Sequence, residues 1–173
     1  LDLAGFSPDG KSLDPAAVTT VATYAERAKD QRMVLVVRVV GESGDAAFRQ
    51  NAVETAARAL RDGPDGWSIL YIACHLRDYD QIFQERVRLM LAEAYPRLPG
   101  FDHERMAIER GYNKQELRQV YAELVASRTA FAEQFRSMDD EQWRRTGVHP
   151  ERGRFTLYDA LFQVGMHDAL HME

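Results

Sequence analysis

Apolar residues recur every three or four positions along three segments of the chain, the spacing at which side chains share one face of an α-helix. The first segment lies between a turn signal at residues 63–66 and Pro96, and Ser68 stands where an N-cap is expected. This pattern predicts a helix over about residues 67–94. Its apolar stripe consists of Ile69, Ile72, Leu76, Tyr79, Phe83, Val87 and Met90.

The other two segments open with a capping-box pattern, in which a cap residue is followed three positions later by an acidic one. Asn113 with Glu116 predicts a helix over about residues 114–138, and Thr156 with Asp159 predicts another over about residues 156–173. The apolar stripe of the second segment consists of Leu117, Val120, Tyr121, Leu124, Val125, Phe131 and Phe135, and that of the third of Leu157, Ala160, Leu161, Val164, Met166 and Leu170.

The N-terminal third predicts at least one helix between residues 15 and 61, because residues 15–28 and 45–60 both have helical character. Residues 33–40 are rich in β-branched side chains and indicate either a strand, for which no partner is evident, or a buried helix. No strand-turn-strand pattern stands out elsewhere. Long helices with short polar connections favour an all-α fold, an antiparallel four-helix bundle with an irregular N-terminal segment. The length predicts a single domain over residues 1–173.

Composition narrows the class of protein. With 45% hydrophobic and 28% charged residues the chain is in the globular range, and a net charge of −5 without a basic run argues against nucleic acid as a partner. No run of about 18 apolar residues or signal peptide is evident, so no membrane partner is expected. Since the single cysteine, Cys74, cannot form an internal disulfide, the expected compartment is the cytoplasm.

Histidines provide the candidate chemistry. His167 and His171 are four residues apart on the last predicted helix, so their rings share one face about 6 Å apart. That face continues through apolar Ala160 and Val164, which directs the pair towards the bundle interior. His75 lies on the apolar stripe of the first predicted helix and should face inward as well. Alone, His75 would equally suit a core histidine bonded to a backbone carbonyl.

Three neutral imidazoles from two facing helices can bind a divalent ion at about 2.0–2.1 Å and leave one coordination position open. His75, His167 and His171 are therefore the predicted metal ligands. The donor set suits zinc, nickel, iron and copper alike.

Other residues lie close to these ligands in the chain or in flanking loops. His103 and His149 belong to loop segments, where surface placement is expected, and Cys74 points about 100° from His75, towards the core. The segments 94–112 and 147–154 are expected to border the mouth of the site. Four residues neighbour the predicted ligands and could orient them or move protons: Asp78, Tyr79, Asp80 and Asp168. Charged residues beside a helix stripe are usually solvated, so solvent exposure is expected for the aspartates.

Four short motifs in this order resemble the DinB/YfiT-like superfamily of metal-dependent enzymes over about residues 63–173. They are Gly66-Trp67-Ser68-Ile69-Leu70 leading to Cys74-His75-Leu76-Arg77-Asp78, then Arg145-Thr146-Gly147-Val148-His149-Pro150, then Phe155-Thr156-Leu157, and finally His167-Asp168 with His171. The resemblance implies a four-helix bundle, often a homodimer, that holds a zinc, nickel or similar ion through one histidine on the second helix and an H-x-x-x-H pair on the last. Carried over to this chain, those ligands are His75, His167 and His171. Tyr71 departs from the family pattern, which often has glutamate there, and the first 60 residues do not match.

The functional expectation is a mononuclear metal enzyme acting on a small molecule, either a thiol-dependent transferase or a hydrolase. The resemblance implies a low-molecular-weight thiol such as bacillithiol or mycothiol as a cosubstrate. The lack of an evident general-base carboxylate beside the ligands favours thiol transfer over hydrolysis. The alternative is a non-enzymatic bundle for small-ligand binding or dimerisation that retains the metal site.

Overall fold

Helices dominate the part of the chain that the computed structural model describes, which comprises residues 1–31, 37–40, 45–61 and 66–171. The chain divides into two units, Leu1–Ile72 with Tyr112–Arg118 and Ala73–Gly111 with Gln119–Glu173. The single domain expected from the length stays a prediction. In chain order the elements are β1 (Asp2–Leu3), α1 (Pro15–Asp30), β2 (Arg38–Val39), α2 (Ala46–Ala59), α3 (Ile69–Ala92), α4 (His103–Arg110), α5 (Leu117–Arg136), α6 (Asp140–Trp143), β3 (Thr146–His149), β4 (Gly153–Thr156) and α7 (Leu157–Leu170).

In the first unit, α1 and α2 confirm the helix expected between residues 15 and 61, which is in fact two helices. The carboxylates of Asp14 and Asp45 cap them by accepting backbone N–H groups of the first turn. Strand β2 shows that residues 38–39 are extended, and the partner that the sequence did not reveal is β1, which runs parallel to it. Residues 33–36 of the predicted segment lie outside the described residues. The apolar core of this unit contains Leu3, Val21, Ala56 and Leu60.

The start of α5 differs from the sequence prediction. Asn113 lies in a single 3-10 turn, Tyr112–Lys114, so the predicted capping box of Asn113 and Glu116 is wrong. The carboxylate of Glu54, on α2, instead accepts the N–H groups of Leu117 at 2.8 Å and Arg118 at 3.1 Å. These donors would otherwise have no partner within the helix. The cap comes from a residue distant in sequence, which a local motif does not reveal.

Replacing Glu54 by alanine is therefore expected to lower the free energy of unfolding by about 1–2 kcal/mol, the usual cost of removing a helix cap. Glu116→Ala is the matched control, because Glu116 is exposed and caps no helix end. Urea unfolding followed by circular dichroism would compare the two variants. Equal losses of stability would contradict the capping role of Glu54.

In the second unit, apolar residues of α3, α5 and α7 meet in one core. The predicted stripes are only partly confirmed, because some of their members are exposed: Tyr121, Val125, Leu161, Met166 and Leu170. α7 begins at the predicted capping box, in which Asp159 accepts from the N–H of Thr156 at 2.8 Å and Thr156 accepts from the N–H of Asp159 at 3.1 Å. This box fixes the register of the helix that carries two of the candidate ligands. The shared core consists of Phe83, Val87, Met90, Leu98, Phe131, Phe135, Phe155, Leu157, Ala160 and Val164.

Two elements of this unit were not expected. α4 interrupts the segment 94–112, which was expected to be a loop, and β3 pairs with β4 as an antiparallel hairpin. The hairpin strands have four residues each, too few for a clear alternating pattern. β3 is also tied to the preceding chain, since Leu98 N–H donates to the Val148 carbonyl at 2.9 Å. Glycine is favoured at position 147, because a β-carbon there would lie 3.0 Å from the Pro96 carbonyl oxygen, a tight contact.

Among the described residues, no helix combines the length and apolar character needed to cross a membrane.

Candidate metal centre

The structure brings together the three histidines that the sequence singled out. His75 is buried on α3, whereas His167 and His171 lie at the end of α7 and are partly buried. One ring nitrogen from each lies within 4.8 Å of those of the other two. The Nε2 atoms of His75 and His167 are 3.0 Å apart. Within the described chain, this group of potential ligands contains no carboxylate.

The donor set fits a divalent metal ion. Two nitrogen ligands at about 2.0–2.1 Å from one ion lie about 3.0–3.4 Å apart, which agrees with the distance between His75 and His167. Burial, helped by the neighbouring histidines, lowers the pKa of His75 to about 3, and burial also lowers the pKa of His171. Their lone pairs are therefore available at neutral pH. An imidazole set of this kind suits zinc or nickel, with iron and copper also acceptable.

Aromatic rings form one wall of this centre. The ring of Tyr79 stacks on His167 at 4.5 Å and lies 4.4 Å from the ring of His75. Phe83, one turn further along α3, lies 5.9 Å from the His167 ring. Burial raises the pKa of the Tyr79 phenol, so that the hydroxyl stays protonated near neutral pH. These rings restrict the orientation of the imidazoles and exclude water from one side of them.

A chain of charged groups lies behind His167. Asp168 is 3.9 Å from His167 Nδ1 and accepts hydrogen bonds from Arg128. The same guanidinium donates through Nε to Asp80 at 2.6 Å. Burial alone would raise the pKa of Asp168, but its interactions with His167 and Arg128 lower it overall. The carboxylate is thus ionised and faces the His167 nitrogen opposite the one that points at His75.

Asp80, the innermost of these charged groups, is fully buried. Ser127 donates to its second oxygen, and so does Gln84, at 2.8 Å. Asp78 is equally buried and pairs with Arg77 at 2.9 Å and Arg110 at 2.8 Å. The expectation that these aspartates are solvated is wrong, since each is paired with a cation inside the protein.

Arg128, which lies on α5, could not be identified from the sequence. Only the complete burial of Asp80 shows that a cation is needed beside it.

The positions of the other candidate residues agree only in part with the sequence predictions. His103 begins α4, and its ring lies 6.0 Å from that of His75, so the segment 94–112 does reach the centre. His149 is buried against Phe155 rather than exposed, and its Nδ1 accepts the N–H of Glu151 at 3.2 Å. Cys74 is buried as expected, and burial raises the pKa of its thiol to about 11.

Comparison with known proteins places the chain in a family. Residues 28–173 match the model of the DinB superfamily, and the chain belongs to that superfamily. The match therefore includes residues 28–60, which lie before the motifs that carried the resemblance. A solved structure with a similar fold is YfiT from Bacillus subtilis, described as a probable metal-dependent hydrolase with an unusual four-helix bundle topology. The two share 16% sequence identity with a TM-score of 0.63, over 98% of this chain and 89% of that one. No curated protein matches. The all-α, four-helix-bundle prediction and the family resemblance are both confirmed.

Proposed function

We propose that this protein is a mononuclear metal-dependent enzyme acting on a small molecule, with the ion held by His75, His167 and His171. The observation that carries the proposal is the convergence of three ring nitrogens from α3 and α7 within 4.8 Å of one another. Membership of the DinB superfamily and the description of YfiT as a probable metal-dependent hydrolase support it. A divalent ion bound there would lower the pKa of a coordinated thiol or water towards neutrality.

The surrounding residues favour a thiol supplied from outside the chain. Cys74 cannot serve as the nucleophile, because its thiol is buried and its pKa is about 11. Asp168 is engaged by Arg128 on the Nδ1 side of His167, away from the converging Nε2 atoms, and is badly placed to act as a general base. These features support a transferase that uses a low-molecular-weight thiol.

Hydrolysis is the second candidate, and His103 is the observation that favours it. Its ring lies 6.0 Å from that of His75, and an imidazole at that position could accept a proton from a water molecule. His103→Phe would separate the two reactions. It should abolish hydrolysis while leaving thiol transfer largely intact.

Cobalt-loaded protein provides a direct test of thiol use. We expect bacillithiol or mycothiol to change its visible spectrum, and the S-methylated form of the same thiol to have no effect. Product analysis with an electrophile such as chlorodinitrobenzene should then show thiol-dependent turnover that disappears in His171→Ala. A spectrum unaffected by thiols, together with ester hydrolysis by the parent, would contradict thiol transfer in favour of hydrolysis. A metal-loaded protein with neither reactivity would support the non-enzymatic alternative.

The homodimer implied by the family resemblance is part of this proposal, and sedimentation velocity of the metal-loaded chain tests it.

A further inference from the structure

Arg86 differs from the other charged residues in the interior of the described chain. Each of the others has an opposite charge within 4.0 Å: Arg77 pairs with Asp78 and Glu123, Asp78 also with Arg110, and Asp80 with Arg128. Arg86 is only 6% exposed, and no carboxylate of the described residues lies within that distance of it. A buried charge without a counter-charge is strongly destabilising, so proteins rarely keep one without a use.

The neighbours of Arg86 hold the guanidinium in place without neutralising it. Nε and Nη2 donate to the carbonyl oxygen of Pro99, at 3.3 and 3.1 Å. The guanidinium carbon lies 6.0 Å from the centroid of Phe83 and 5.8 Å from that of Phe101. These contacts use two of the five N–H donors. Glu151 is exposed, and its charge acts on Arg86 from beyond ion-pair distance.

Arg86 also lies near the metal centre. The Phe83 ring is 5.9 Å from the His167 ring and 6.0 Å from the Arg86 guanidinium, so the last two are no more than about 12 Å apart. His75, Tyr79 and Arg86 lie four and then seven residues apart on α3, which places them on one face of the helix. Burial raises the pKa of the Tyr79 phenol and the charge of Arg86 opposes that rise, as expected if the two side chains are close.

We propose that Arg86 binds the carboxylate of an anionic small molecule whose reacting end reaches the three histidines. The inference rests on the proposed function and adds to it the class of substrate or cosubstrate: a carboxylate within about 12 Å of the reacting group. An arginine presents paired N–H donors that match the two oxygens of a carboxylate, and Phe83 and Phe101 provide apolar surface beside them. Because the guanidinium is already held in place, little side-chain conformational entropy is lost when it binds a carboxylate.

The test is thermal unfolding of metal-free protein with carboxylates and their neutral amides. Benzoate and hexanoate are expected to raise the Tm by about 2 °C or more at saturating concentration, and benzamide and hexanamide to have no effect. Arg86→Gln retains a donor for the Pro99 carbonyl and should lose the shift. Arg88→Gln is the matched control and should keep it, because Arg88 is exposed and pairs with Glu85 at 2.6 Å.

Several outcomes would overturn the proposal: equal effects of acid and amide, an undiminished shift in Arg86→Gln, or a response to inorganic phosphate but to neither carboxylate. If Arg86→Gln does not fold, fluorine relaxation of 4-fluorobenzoate in the cobalt-loaded parent decides the matter. The fluorine signal should broaden beside cobalt and not beside zinc, and equal line widths would contradict the placement. Because the thermal measurement uses no metal, its failure is distinguishable from that of the proposed function, which elemental analysis tests separately.

Discussion

Replacement of His75 by alanine is expected to remove the divalent ion while leaving the helices in place. The parent, expressed with zinc or nickel and then dialysed, should retain about one ion per chain, and both His75→Ala and His171→Ala should retain almost none. The reason is the small number of ligands: among the described residues the centre has three converging nitrogens, and loss of one leaves a pair that cannot hold the ion against dialysis. Elemental analysis measures the ion, and far-ultraviolet circular dichroism measures the helices.

Two further variants make this experiment specific. His75 is buried, so alanine leaves a cavity that destabilises the protein by itself, whereas His75→Gln fills most of the space without an imidazole. His149→Gln is the matched control, because His149 is also buried but packs against Phe155 and is absent from the converging group. Metal retained by His75→Gln, or lost equally from His149→Gln, would contradict the assignment of the ligands.

The features that could be predicted from the sequence are those encoded locally or by helical period. The stripes of α3, α5 and α7 repeat over about four or more turns, so their existence could be predicted and their ends to within about three residues. Ser68 caps α3 as expected, accepting the N–H of Tyr71 at 3.0 Å. Spacing along two such helices was enough to select His75, His167 and His171, because residues on inward faces of neighbouring helices meet in the core.

The features that were missed depend on partners far away in sequence. Glu54 caps α5 from a different helix, and β1 pairs with β2 across 36 residues, so no local window contains both partners. The hairpin of β3 and β4 is held partly by the chain before α4. Arg128 belongs to this class as well: on its own helix it is an ordinary polar residue, and its role follows only from the two carboxylates brought to it by α3 and α7.

Arg128→Met is expected to be among the most destabilising single substitutions outside the metal ligands, lowering the free energy of unfolding by about 3–5 kcal/mol. It leaves Asp80 fully buried with a negative charge, for which the hydrogen bonds of Ser127 and Gln84 compensate only in part. Urea unfolding of metal-free protein would measure the loss. Arg136→Met is the matched control, since Arg136 pairs with Glu133 on the surface and such pairs contribute little.

The cause of this loss can be separated from simple damage to packing. If an uncompensated carboxylate is responsible, adding Asp80→Asn to Arg128→Met should recover much of the lost stability, because the neutral amide needs no cation. If the methionine merely packs badly, the second substitution should lower stability further.

Asp168, the other carboxylate bound by Arg128, is expected to affect metal binding rather than stability. Asp168→Asn leaves Asp80 paired with Arg128 but removes the charge that faces His167 Nδ1, so metal affinity should fall about 10- to 100-fold with little change in the stability of metal-free protein. Competition with a zinc-binding dye would measure that affinity, and an unchanged value would show that Asp168 contributes only to the fold.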